Sequence, residues 1–399
     1  MVIQFGELRF EDTPLRTSRY LATARKAMAD LGIDDPSRHL LVAAESNPGP
    51  DLSTIILKRT AFTDEEVARF REGLLDIPRH YAVHPASAVF DGHPASVLAS
   101  GTDEEVDAFI AAYDREIGPI DDDAPFFWHF TGFGDVLRDL FEPIRTDLDP
   151  EIAIGERVLL LLLGFAVLYA AAFLLLPFVA VRRTWRALPR KGTSAVYFAC
   201  LGLGFMFFEI TMIQRLVRFL GYPTYSLTVT LTAILVATGV GALLSERIGD
   251  RARQSMPWLL GALAVLTAFY QVGLDDLTDA FQSTALGVRI VVALLALVPL
   301  GLCLGMFMPL GLGLVARLTD RDQEYVAWGW AVNGFFSVIG SVLTTILAMT
   351  FGFRAVQVAA LAIYGVAVLT FLRLHRGVDE PQPPTPAAPV APVTEPTPA

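Results

Sequence analysis

The sequence predicts a polytopic α-helical membrane protein of about seven spans, preceded by a partial α/β domain. Three observations lead there. The 399 residues are 53% hydrophobic and 18% charged, with a mean hydropathy of +0.48, a balance too apolar for an ordinary soluble chain. From Val158 onward apolar runs recur, each long enough to cross about 30 Å of hydrocarbon at roughly 1.5 Å per residue. Residues 1 to 150 instead mix helix and strand periods with the cap and turn residues of a water-exposed domain.

In that first part, Thr13 and Pro14 supply an N-cap and a first-turn proline for the helical run LRTSRYLATARKAMADL, and Gly32 is placed to end it. Two β-rich runs follow, His39 to Ala44 and Ser53 to Lys58, divided by the turn formers Asn47-Pro48-Gly49-Pro50. Capping boxes at Thr63/Glu66 and Thr102/Glu105 open helices expected to run to about Leu75 and Ile117. Strands are too few for a complete nucleotide-binding sheet, and no glycine-rich turn joins a strand to a helix to receive a phosphate. Residues 119 to 135, PIDDDAPFFWHFTGFGD, then place an acidic triplet and a proline before a dense aromatic cluster.

An amphipathic bridge from residue 136 to 157 leads into the spans. These are expected at Val158 to Val181, Ala195 to Ile213, Tyr225 to Leu244, Trp258 to Leu274, Val288 to Leu314, Val326 to Met349 and Ala355 to Leu372. The tail from Pro381 to Ala399 is Pro, Ala, Thr, Val and Glu, a composition that need not fold. Residues 1 to 40 hold no apolar run with a small-residue cleavage site, so a later helix is expected to direct insertion.

Charge sets the orientation. Arg182, Arg183, Arg186, Arg190, Lys191, Arg247, Arg251, Arg253, Arg317, Arg321, Arg373 and Arg376 fall on one side of a seven-span layout, which the positive-inside rule makes cytoplasmic together with the C-terminus. Arg215, Arg218, Arg354 and the acidic loop Asp275, Asp276 and Asp279 fall on the other, with residues 1 to 150. The net charge of -11 gives no attraction to nucleic acid. Cys200 and Cys303 lie in apolar segments, where a thiol is a small hydrophobe, and they carry no information on redox compartment.

Glu209, inside the second span, is the sharpest polar feature, because an ionisable group at that depth costs a few kcal/mol. It reads either as a proton or cation site, or as a group held by an interhelical hydrogen bond or an ion pair with Arg215 or Arg218. Asn333, Ser337, Ser341 and Thr345 lie on one helical face beside Gly334 and Gly340, which points to close helix packing, with a substrate path as the weaker reading. Gly301, Gly305, Pro309, Gly311 and Gly313 suggest a kink or a broken helix in span five. Trp328 and Trp330 fit an interfacial belt. His80 and His84 are spaced i, i+4, but flanking prolines and the lack of a nearby Glu argue against a zinc site.

At these residues the chain resembles a family. IDDDAPFFWHF is similar to the T-D-D-R-P-F-F-F motif that closes the catalytic domain of bacterial membrane-embedded spermidine synthase-like proteins. GLGFMFFEITMIQRLVRFLGYPTYSLTV, GMFMPLGL and WAVNGFFSVIGSVL resemble their membrane half, and PSRHLLVAAES with STIILKRTAFTDEEVARF also follows their pattern. The resemblance runs from about Arg16 to Leu372.

It implies a multi-pass bacterial inner-membrane protein comprising the last part of a Rossmann-like polyamine aminopropyltransferase-type domain, residues 1 to 135, and a transmembrane domain, residues 158 to 373. The family would use S-adenosylmethionine or its decarboxylated form. The cofactor loop, the ribose-binding acid and the central aspartates are missing here, so no cofactor and no catalysis by this chain alone are expected. The partners implied are the lipid bilayer and a Rossmann-domain or second membrane-half protein. Carry-over is limited to Asp122, Asp123, Pro125, Phe126 and Phe127, of which Asp122, Asp123, Phe126 and Phe127 are the substrate-binding candidates, and to Glu209 and Gln214 in the membrane. With Asn333, the last two are the intramembrane polar candidates. Asp121 stands where the family has Thr and Ala124 where it has Arg, which puts an anion contact in doubt. The other class of function the residues allow is a carrier of a small cationic solute, built on Glu209 and a broken span five.

Overall fold

The computed structural model describes residues 1 to 399 except 8, 9, 12, 47 to 49, 86 to 91, 143 to 152, 181 to 188, 320 and 377 to 399, and except the side chains of 174, 175 and 177 to 180. The expected Asn47-Pro48-Gly49 turn, the second half of the bridge and the Pro-rich tail therefore lie outside the described residues.

The first part is a sheet backed by helices: β1 (Val2–Glu7), α1 (Leu15–Asp30), β2 (Leu40–Glu45), β3 (Asp51–Leu57), α2 (Asp64–Leu75), β4 (His80–His84), α3 (Pro94–Ser100) and α4 (Asp103–Ala112). The strand order is β1-β3-β2-β4. Each neighbouring pair is antiparallel. Consequently β1 and β2 run parallel on either side of β3, and β3 and β4 run parallel on either side of β2. Two split βαβ units thus interlock, with α1 and α2 as their crossovers. A Rossmann-like piece entails parallel neighbours, and no described neighbouring pair is parallel.

Both capping boxes form: the side chains of Thr63 and Thr102 accept from the amides of Glu66 and Glu105, whose carboxylates accept in return. The second helix ends at Ala112, short of the expected Ile117. α1 begins after Pro14 without a side-chain cap, so Thr13 is not its N-cap. The buried carboxylate of Glu7 on β1 supplies that function, accepting from Thr17 N at 2.7 Å and Thr17 Oγ1 at 2.8 Å. Gly32 ends the helix with φ of 76°, as a residue without Cβ can. The core packs Leu15, Leu21 and Met28 of α1 on Leu40, Val42 and Ala44 of β2 and on Leu98 of α3.

The second part is helical: α5 (Phe133–Arg138), α6 (Ile154–Ala180), α7 (Lys191–Arg215), α8 (Val217–Leu220), α9 (Pro223–Ser245), α10 (Ala252–Val272), α11 (Leu274–Phe281), α12 (Leu286–Ala316) and α13 (Asp322–Arg376). In the described part of the bridge the helix is the short α5, and α6 starts four residues before the expected Val158. Among the described residues, five helical runs are long and apolar enough to cross a membrane. Two of them, of 50 and 55 residues, change course part-way. A 3-10 stretch, Glu246–Arg251, divides α9 from α10, and Gly352, at φ 82° and ψ 162°, divides α13 into arms 322–351 and 353–376.

Within the bundle α7 packs along both arms of α13, and α9 packs along α12. Glycine makes both contacts close. A Cβ on Gly202 would run into Asn333 O, one on Gly241 into Leu302 O and one on Gly305 into Thr238 O. Span five is accordingly one unbroken helix through Pro299 and Pro309, and Gly301, Gly305 and Gly311 serve as its contact surface. α6 stands apart, with only 6% of its apolar window buried.

Candidate functional site at the junction of the two parts

One end of the bundle carries the first part of the chain, and the acidic motif makes the joint. Asp121 first folds the motif on itself, accepting from Asp123 N at 3.0 Å and Ala124 N at 2.9 Å. This Asx-type turn aims the next two carboxylates at the bundle. Asp122 Oδ2 pairs with Arg218 Nη1 at 2.5 Å, and Arg218 Nη2 reaches Asp279 Oδ1 at 2.6 Å. Asp123 sits against the break in α13: its carbonyl accepts from Phe353 N at 2.9 Å and its Oδ1 from Arg354 N at 2.8 Å. A Cβ at position 352 would collide with the Asp123 carboxylate, so glycine is needed there for both space and backbone angle.

Behind this contact a polar chain enters the bundle. Asp275 on α11 pairs with Arg354 and, at 2.8 Å, with Arg215. Arg215 also donates to Tyr270 O at 2.8 Å and to Gln357 Oε1 at 3.0 Å, and the fully buried Gln357 accepts from Gln271 at 3.1 Å. Burial raises the Asp275 carboxyl, but the bonds from Arg215 and Arg354 outweigh it and hold the pKa below its ordinary value. A cavity of about 310 Å³ lies among these groups, walled by Asp122, Asp123, Gln214, Arg218, Asp275 and Arg354.

The aromatic half of the motif is held from the other side. Arg19 on α1, 5% exposed, donates to the carbonyls of Glu116, Phe126, Phe127 and His129 and lies 4.8 Å from the Phe130 ring centroid. Burial pushes its guanidinium down to about 10, against the raising influence of Glu116 and Glu156. Phe127 stacks on Phe5 of β1 at 5.5 Å, and Phe126 meets Phe353 of the bundle at 5.6 Å. His129 Nδ1 lies 2.8 Å from the buried Glu156 Oε1 at the head of α6.

Among the residues singled out in the sequence, Asp122, Asp123, Phe126 and Gln214 meet at this junction, whereas Phe127 faces the sheet. Glu209 and Asn333 lie elsewhere. Glu209 is 6% exposed and its Oε1 makes no hydrogen bond among the described residues. Arg215 and Arg218 are committed to the groups above. Asn333 Nδ2 donates to Phe198 O at 3.3 Å, which with the Gly202 contact makes its face a packing face. His84 is buried, which lowers its pKa, and its Nε2 lies 2.8 Å from Ser37 O. No group of three metal-ligating side chains exists among the described residues. Sequence reasoning missed Arg19, Glu156, Gly352 and Gln357. Of these only Gly352, a glycine closing an apolar run, carries a local signal.

No family model, no curated protein and no solved structure matches the chain.

Proposed function

We propose that this chain is the membrane module of a spermidine synthase-like protein of the bacterial inner membrane, inactive alone and completed by a cofactor-binding Rossmann-domain or membrane-half partner. The observation that carries the reading is the use made of the acidic motif. In the family it resembles, that motif closes a catalytic domain; here Asp122 is engaged by Arg218, and Asp123 by the backbone of Phe353 and Arg354. Carboxylates spent on attachment are poorly placed to orient an amine.

Seven crossings accord with this reading. Runs of 50 and 55 residues extend over about 75 and 80 Å, more than twice the roughly 30 Å hydrocarbon core. Each also contains a break, at Glu246–Arg251 and at Gly352. With seven, the positive-inside rule assigns the end bearing Arg190, Arg317, Arg373 and Arg376 to the cytoplasm, with the C-terminus, and residues 1 to 142 to the opposite side.

The test is calorimetric titration of S-adenosylmethionine and its decarboxylated form into the detergent-purified chain, alone and mixed with a separately produced cofactor-binding domain of the same source. No heat alone and binding in the mixture is the expected result. Binding by the chain alone would overturn the reading.

Glu209 favours a second reading, a carrier of a small cationic solute, because a buried carboxyl oxygen without a partner suits a group that changes protonation in transit. Proton-coupled uptake into proteoliposomes that survives Glu209→Gln would dismiss it.

A further inference from the structure

The junction is charged; a second opening, within the bundle, is not. A cleft of about 430 Å³ lies between the α7–α13 pair and the α9–α12 pair, and no Asp, Glu, Lys or Arg lines it. Leu235 and Trp330 at its edge are 51% and 58% exposed, so it opens toward the lipid. Its size falls in the range of small-molecule sites, which are mostly apolar with a few convergent polar groups.

One of those groups differs from the other fully buried tyrosines of the bundle. Tyr197, Tyr270, Tyr325 and Tyr364 are all fully buried. The first three each donate the hydroxyl to a backbone carbonyl: Phe307 O at 2.5 Å, Ala296 O at 2.7 Å and Pro189 O at 2.5 Å. Tyr364 is 1% exposed, borders the cleft, and its hydroxyl has no hydrogen-bond partner among the described residues. Phe307 at 4.9 Å and Phe208 at 6.1 Å fix its ring, so it cannot swing to another acceptor. Other polar groups of the wall donate within the bundle: Thr238 to Ile234 O, Ser337 to Asn333 O, and Asn333 Nδ2 to Phe198 O. A hydroxyl without an acceptor is costly in hydrocarbon.

We propose that this cleft binds a neutral, lipid-soluble molecule carrying a hydroxyl or carbonyl oxygen, which accepts from Tyr364 while its apolar body fills the space between the α7–α13 and α9–α12 pairs. The charge-free wall rejects ions. Tyr364 lies twelve residues from both Gly352 and Arg376, about 18 Å from either helix end at roughly 1.5 Å per residue. That depth separates the ligand from phospholipids, whose polar groups remain at the interface. The site is independent of the junction and of Glu209.

The test is photolabelling of the purified full chain with a long-chain alcohol bearing a diazirine, beside the matching hydrocarbon diazirine, with adducts mapped by mass spectrometry. Adducts of the alcohol are expected to concentrate on α9, α12 and the second arm of α13, and to fall with excess unlabelled alcohol. Tyr364→Phe keeps the space and removes the donor, and should lower this labelling about five-fold. Gly239→Leu should abolish it: the residue borders the cleft and an added Cβ meets nothing within 4 Å, so the variant fills the site without disturbing the packing. Alcohol labelling spread like the hydrocarbon's along the lipid-facing α6, or unchanged in Gly239→Leu, would overturn the site. Labelling unchanged in Tyr364→Phe would overturn the hydrogen bond that defines its ligand.

Discussion

Residues 1 to 142 are tied to the bundle by Asp122 and Asp123, which meet Arg218 and the backbone of Phe353 and Arg354, whereas α7, α9, α12 and α13 are tied to one another by glycines that let backbone touch backbone. The difference follows from the solvent. At a wet helix end an ion pair can form with little desolvation, and it orients two bodies without needing a close fit. In hydrocarbon there is no hydrophobic drive between helices, so contact area and small side chains must supply the attraction. The joint should therefore be tunable by salt, and the bundle by volume.

Volume gives the largest expected effect. Gly305→Leu forces a side chain into Thr238 O and should lower the stability of the detergent-solubilised protein by about 3 kcal/mol or more. Gly313→Ala is the control: nothing lies within 4 Å of its added Cβ, so it should be neutral or stabilising by up to about 1 kcal/mol. Equal losses in the two melting curves would remove the distinction between contact glycines and free ones.

Next comes the buried guanidinium of Arg19. Arg19→Met leaves four carbonyls without their shared donor and should cost about 3 kcal/mol, with earlier proteolysis in the 116–130 segment than in wild type. Gly352→Ala should cost about 2 kcal/mol from the left-handed backbone angle alone, and more from its collision with Asp123. Hydrogen exchange at Phe353 and Arg354 should rise in that variant.

The smallest effect belongs to the exposed pairs. Arg218→Gln should change stability by less than about 1 kcal/mol, and high salt should erase the difference. The pH dependence has a definite sign. Asp275 has a lowered pKa when folded, so its contribution is complete above the ordinary aspartate value of about 3.9 and is lost as pH falls through the folded value. The Asp275 cluster behind the joint should thus be indifferent to pH between about 5 and 8 and weaken only in stronger acid. Loosening near neutrality would assign control to another group.

Much of the membrane architecture is legible in the sequence because a span must be long and apolar whatever it packs against. The expected segments and the observed helices agree to within a few residues at most ends, and the capping boxes at Thr63 and Thr102 are local motifs that tertiary structure leaves intact. β1 and β4 are not legible: each depends on a partner strand remote in sequence, and β1 shows no turn signal before it. The glycines of span five mislead for a related reason. Read along the chain they weaken a helix, whereas read across the interface Gly301 and Gly305 are what lets α9 and α12 meet. The acidic triplet looks like a solvated loop or a substrate site because its partners, Arg218 and the Gly352 break, lie far along the chain in the bundle.

The most direct measurement is cross-linking in native membranes of the Asp122→Cys/Arg218→Cys variant with a short thiol-reactive linker, beside Asp122→Cys/Arg373→Cys, whose second site lies at the opposite end of the bundle. Efficient 122–218 linkage and none for 122–373 is the expected result. Absence of the first link, or equal yields of the two, would contradict the docking of the acidic motif on the bundle.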